Sequence, residues 1–191
     1  MKAAVFLGLL YFLHRDGTVV GSQDTVLTDR PIIGVLAQEQ SYYLHTKYPD
    51  ENYTSYIAAS YVKDVEAAGA RVVPIMIGRD RNYYEDIMER LNGYPFYGVQ
   101  FHPEKSSFEW KASKNYPSSR NAVKANRYFM DFFVDECRKS AHAFASAAEE
   151  NEYVIYNHEP HFTGVLGSAY HQCYLFEPRG TKVVNALKLH D

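Results

Sequence analysis

His102 and Glu104 stand two residues apart in Gly98-Val99-Gln100-Phe101-His102-Pro103-Glu104. A carboxylate beside an imidazole fixes which ring nitrogen carries the proton and stabilises the imidazolium formed when the ring takes up a second one. The pair is thus a base and its orienter, suited to serving a nucleophile supplied by another part of the chain. The plain alternative is a surface turn in which both side chains are solvated. His158-Glu159-Pro160-His161 also packs metal-ligand residue types together, but its spacing is not the helical one of a zinc peptidase. It reads as a surface loop, and no metal site is expected. Cys137 sits in a helical stretch, Asp135-Glu136-Cys137-Arg138-Lys139, and Cys173 in a strand-like one. Neither follows a strand and a glycine, so neither has the setting that lowers a thiol pKa and exposes the sulfur. Both read as packed thiols, and a bridge between them is left open.

The elements that would position the pair follow from hydrophobic patterning. Pro31 to Ala37 is a short run apolar on both faces, read as a buried strand of a parallel sheet. Ser55 opens a helical pattern with Ile57, Tyr61, Val62, Val65 and Ala68 on one face and Lys63, Asp64 and Glu66 on the other, and Gly69 suits its C-terminus. Residues 70–77 form a second strand, which completes a βαβ unit. Asn82 and Glu85 read as a capping box for a helix that Gly93 ends. Residues 96–101 read as a third strand, which puts His102 and Glu104 on one face at its C-terminal end, where open α/β sheets bind ligands. Asn121 caps the longest helix, with a stripe of Val123, Ala125, Phe129, Phe132, Phe133 and Cys137. Beyond it, 149–152 reads as a polar hinge, followed by strand-like pieces at 153–156 and 173–176. The fold class is α/β with a three-layer, mostly parallel sheet.

The chain of 191 residues carries 20 Lys and Arg against 23 Asp and Glu, a formal charge of −3, which leaves no basic footprint for nucleic acid. Hydrophobic residues at 46% and charged ones at 23% describe an ordinary globular chain, long enough for one core. Lys2 followed by the apolar stretch Ala3–Leu13 fits a signal peptide over 1–22 and falls short of the ~20 residues that span a bilayer. No membrane segment is then expected in the mature form. Asn52-Tyr53-Thr54 is an N-glycosylation acceptor, meaningful on a secretory route. Residues 23–191 form a single domain.

The stretch at 98–104 resembles the last-strand motif of class I glutamine amidotransferases and their hydrolase relatives, within which the chain is most similar to the γ-glutamyl hydrolase family. The likeness also rests on Pro31-Ile32-Ile33-Gly34-Val35-Leu36, Tyr56 to Lys63, Ala67 to Pro74, Glu109-Trp110-Lys111, Asn121-Ala122-Val123-Lys124 and Gln172-Cys173-Tyr174, all in family order. It implies a class I glutamine amidotransferase-like fold, passage to the lysosome or the extracellular space, and a Cys–His–Glu catalytic group. In that group His102 matches the general base and Glu104 its orienting acid. It implies no cofactor. The implied partner is a small-molecule folate polyglutamate or γ-glutamyl peptide, and homodimer formation is left open.

One departure from the pattern is large. The family sets its nucleophilic Cys on a Gly-x-Cys-x-Gly elbow in mid-chain, after a Gly-Gly loop that helps hold the oxyanion. Neither motif is present, no Gly-x-Ser-x-Gly elbow replaces them, and Leu91-Asn92-Gly93 runs directly into Tyr94-Pro95-Phe96. The sequence therefore reads as family-related but truncated in its centre, with an internal deletion near 93–94 and no nucleophile. The leading expectation is a γ-glutamyl peptidase sequence that is inactive as written. A non-catalytic isoform that binds a γ-glutamyl ligand or the full-length enzyme, and a glutamine amidotransferase domain, are the alternatives. Loss of central strands also predicts imperfect strand pairing around the gap.

Overall fold

A computed structural model describes residues 27–49, 51–91, 98–140 and 142–178. The expectations for 1–22 and for the junction at 93–94 lie outside these residues. In chain order the elements are β1 (Ile32–Leu36), β2 (Gln38–Glu39), α1 (Tyr42–Lys47), β3 (Ser55–Ala58), α2 (Ala59–Ala67), β4 (Arg71–Ile75) and α3 (Arg81–Leu91). There follow α4 (Lys105–Phe108), α5 (Arg120–Cys137), α6 (Ala147–Tyr153), β5 (Pro160–Phe162) and β6 (Gln172–Phe176).

The α/β class holds, and the βαβ unit is where the patterning puts it. β1 and β4 pair in parallel, with Ile32 opposite Arg71 and Leu36 opposite Ile75. Successive valines of β4 face opposite ways, as strand geometry requires. Val72 joins a core with Ile33, Val35, Val62, Val65, Phe133 and Val134, whereas Val73 packs with Ile87 and Phe144. Helices α2 and α5 thus cover one face and α3 the other, which makes three layers. Gly69 closes α2 at φ +91°, and a Cβ there would lie 2.8 Å from a guanidinium nitrogen of Arg138. Only glycine combines that dihedral with that approach.

Parallel pairing is confined to β1 and β4. The other sheet, in the order β2-β3-β6-β5, is antiparallel throughout. Ser55 to Ala58 therefore form a strand, not the first turn of a helix. Hydrogen bonding to β2 on one side and β6 on the other outweighs the helical spacing, and all four residues are buried. Residues 98–101 are not a strand either. Among the described residues no third strand lies beside β1 and β4 for that segment to join, and an unpaired strand leaves its backbone groups unsatisfied.

Other local readings shift for similar reasons. Asp80 rather than Asn82 caps α3, its Oδ1 accepting from the Tyr83 amide at 3.0 Å. Ser119 rather than Asn121 caps α5, accepting from the Ala122 amide at 3.3 Å. The inward stripe of α5 runs through Val123, Asn126, Met130, Phe133, Val134 and Cys137, while Ala125, Phe129 and Phe132 face outward. Residues 149–152 lie within α6, and 153–156 close that helix and enter a 3₁₀ turn, while the strand at 173–176 is present as β6. No described helix is long and apolar enough to cross a membrane.

Candidate active site

The chain brings His102 and Glu104 together by a turn, not by a shared strand face. Pro103 is buried, and Glu104 has helical backbone angles (φ −61°, ψ −28°) at the start of α4, which rotates its carboxylate back toward the ring. Imidazole Nδ1 lies 2.8 Å from Glu104 Oε1. The carboxylate is 2% exposed and the imidazole 24%, so the acid sits behind the base and the base faces outward. A buried carboxylate needs a partner with a proton to give. Nδ1–H supplies it, which leaves Nε2 as the basic nitrogen.

The surrounding shell is held by residues to which the sequence reading gave no role at this site. The Tyr61 hydroxyl, from α2, lies 3.3 Å from the same Nδ1, and the Tyr61 ring stands 6.4 Å from those of both His102 and Tyr170. Burial holds the Tyr61 and Tyr170 phenols well above the usual range, so both remain protonated. Lys105 places its ammonium 5.4 Å from the Tyr116 and Tyr170 ring centres, and burial lowers its pKa. Glu109 and Lys111 tie this segment to the loop before β6. Glu109 Oε2 accepts from the His171 amide at 2.9 Å, and Lys111 donates to the Gly167 and Ser168 carbonyls at 2.8 and 2.6 Å.

Asp64 corrects the patterning outright: it is 3% exposed rather than on a solvated face. Its Oδ2 has no hydrogen-bond partner, and neither has Ser60 Oγ one turn earlier. Burial, then the nearby Glu104 and Asp131 charges, push its carboxyl up to about 7, against a smaller opposing pull from Arg127. Helical spacing alone put Asp64 beside Lys63 and Glu66. Its i, i+4 relation to the equally buried Ser60 is the one signal that could have placed it inward.

Both cysteines are free thiols: Cys173 packs in the cluster of Tyr56 and Tyr170, Cys137 against the main core. Cys173 is fully buried on β6, accepts from Thr163 Oγ1 at 3.5 Å, and is pushed up to about 11 by burial. Cys137, half-buried at the end of α5, is pushed up to about 12 by burial and by Glu136. A nucleophilic thiol needs the opposite shift. His158 packs edge-on to Phe176 at 4.9 Å, whereas His161 contacts Tyr48 and Tyr53. Among the described residues no three His, Cys, Asp or Glu side chains gather into a metal site. Asn52 is exposed in the loop between α1 and β3.

With this α/β core and this imidazole–carboxylate pair in place, residues 31–125 match the Peptidase C26 family. The chain is 46% identical to γ-glutamyl hydrolase of Homo sapiens over 84 residues, which is 44% of this chain and 26% of that protein. It is 44% identical to γ-glutamyl hydrolase of Bos taurus over 94 residues, 48% of this chain and 29% of that protein. With γ-glutamyl hydrolase of Glycine max it shares 37% over 84 residues, 44% of this chain and 24% of that protein. Over this shared stretch the chain is similar to the γ-glutamyl hydrolases. The matched stretch spans about a quarter of the length of these curated relatives.

Proposed function

We propose that this chain is a γ-glutamyl hydrolase-family protein that keeps the base and its orienting acid, lacks the thiol they would activate, and does not cleave γ-glutamyl bonds on its own. The observation that carries the reading is the 2.8 Å contact between His102 and Glu104, with both thiols pushed away from ionisation. In a complete enzyme of this type a Cys thiolate attacks the γ-amide carbonyl, His returns the proton to the leaving amine, backbone amides hold the oxyanion, and water releases the acyl group. The present sequence supplies the second of these functions alone. Without a nucleophile and an oxyanion pocket, most of an acceleration that is typically ~10⁶-fold or more is lost.

The ligand class is a folate polyglutamate or γ-glutamyl peptide, and the route is secretory, to the lysosome or outside the cell. The exposure of Asn52 supports its use as a glycan acceptor on that route. The deletion at 93–94 accounts for the missing elbow, and reading the transcript across that junction tests it. The function itself is tested by incubating the purified protein with a folate polyglutamate and following glutamate release. No release above the blank is expected. Turnover that His102→Ala abolishes overturns the proposal.

A further inference from the structure

The His102 ring has two neighbours at one nitrogen, and their chemistry fixes where the protons lie. Glu104 Oε1 is 2.8 Å from Nδ1 and the Tyr61 hydroxyl oxygen is 3.3 Å from it. An ionised carboxylate only accepts, so Nδ1 carries a proton and directs it chiefly at Glu104. The phenol cannot also donate to a nitrogen whose lone pair is taken up by that N–H. Tyr61 therefore accepts a share of the same proton, and its own O–H turns elsewhere. Tyr170 is the neighbouring phenol: its ring stands 6.4 Å from that of Tyr61, and the side-chain hydrogen bond between the two hydroxyls raises the Tyr61 pKa.

We propose that Tyr61 is a positioning residue for His102: its phenol oxygen shares the Nδ1 proton with Glu104 while its hydroxyl proton is directed to Tyr170, which together hold the imidazole in the Nδ1–H form with Nε2 basic. The placement follows from the fold. Tyr61 lies in the first turn of α2, and Tyr170 lies in the loop before β6 that Glu109 and Lys111 fasten to the α4 segment. Residues from two separate parts of the chain, α2 and the turn into α4, thus meet at one nitrogen, with Tyr170 beside Tyr61, and the arrangement needs no thiol. The proposal rests on the reading of His102 as the base, but its test follows protons rather than turnover, so the two can fail separately.

The test is ¹⁵N nuclear magnetic resonance of the full chain labelled at histidine, with His102 assigned by its loss in His102→Ala, comparing wild type with Tyr61→Phe and Tyr170→Phe. The wild type is expected in the Nδ1–H form. Tyr61→Phe removes the second acceptor and is expected to raise the Nε2–H population about fivefold relative to Nδ1–H. Glu104→Gln, which keeps a carbonyl acceptor, should retain the wild-type form. A wild type found in the Nε2–H form, or a folded Tyr61→Phe with an unchanged His102 spectrum, overturns the proposal. If Tyr61→Phe does not fold, Tyr170→Phe answers the same question. Without its acceptor the Tyr61 proton turns toward Nδ1 and the Nε2–H form rises, and an unchanged spectrum there is equally fatal.

Discussion

Asp64→Asn should make the protein more stable, and by an amount that grows with pH. In the folded chain the carboxyl is 3% exposed, has an oxygen with no partner, and is held up to about 7 by burial and by the charge of Glu104, against an ordinary value of 3.8. The folded state therefore keeps a proton that the unfolded chain has already released, and between these two values folding binds a proton. Stability from this group is greatest below pH 3.8, falls as pH rises, and levels off above about 7. Three units at about 1.36 kcal/mol each give a cost of about 4 kcal/mol once the group must ionise, roughly a third of it incurred below pH 5. Asparagine has no charge to bury, so it escapes this cost, and its amide can donate toward the neighbouring carboxylate. Urea unfolding followed by circular dichroism at pH 5 and pH 8 measures the difference directly. The gap in favour of the variant should widen by about 2–3 kcal/mol between those pH values. Every other titrating group is common to both proteins and cancels. A variant no more stable than wild type at pH 8, or a gap that does not change with pH, would show that Asp64 is not the buried proton holder described here.

The stripe of α5 is tested by two phenylalanines four residues apart. Phe133 is 4% exposed in the main core, so Phe133→Ala should cost about 3–5 kcal/mol, whereas Phe129, 39% exposed and resting edge-on against Phe101, should cost about 1 kcal/mol or less. Equal losses in thermal or urea unfolding would favour the register read from sequence. The two thiols give a chemical test. With Cys173 pushed from 9.0 up to about 11 and Cys137 to about 12, alkylation of the folded protein by iodoacetamide at pH 8 should be about a hundredfold and about a thousandfold slower than in urea. Labelling of either at its unfolded rate would contradict the burial that sets both values.

Sequence made some parts of this molecule plain and hid others for identifiable reasons. The pair β1 and β4 was legible because apolar runs on both faces, a glycine after a helix and a return strand admit few arrangements, and the register of Ile32 on Arg71 satisfies them. The His102–Glu104 contact was legible from a two-residue spacing, but its geometry was not. A strand and a turn both bring residues two apart within reach, and the choice depends on whether a neighbouring strand exists. β3 was misread because Tyr56, Ile57, Tyr61, Val62 and Val65 satisfy helical spacing, while β6, which it pairs with, lies more than a hundred residues later. Asp64 was hidden for a related reason. A helix facing two kinds of neighbour, an apolar sheet and a polar turn, has no single apolar stripe, and its inward polar residues look like solvated ones. The α5 register slipped because Asn126 occupies an inward position, where it donates to Ser106 at 2.8 Å, and a polar residue in a stripe breaks the pattern by eye.

The contact between His102 and Glu104 answers two requirements at once, and separating them decides what its presence means. A carboxylate at 2% exposure must find a proton donor or remain in its neutral form, and the imidazole meets that need whether or not any reaction follows. The elements that build the contact, α2, α4 and the loop before β6, all lie in described parts of the chain and are locked to one another by Tyr61, Glu109 and Lys111. The pair is held by burial and by these contacts, none of which involves a thiol. On the reading proposed above, hydrolysis would need a thiol of depressed pKa within reach of Nε2 as well as donors for the oxyanion. Both sulfurs of this sequence have been moved in the other direction, by the packing that makes them good core residues.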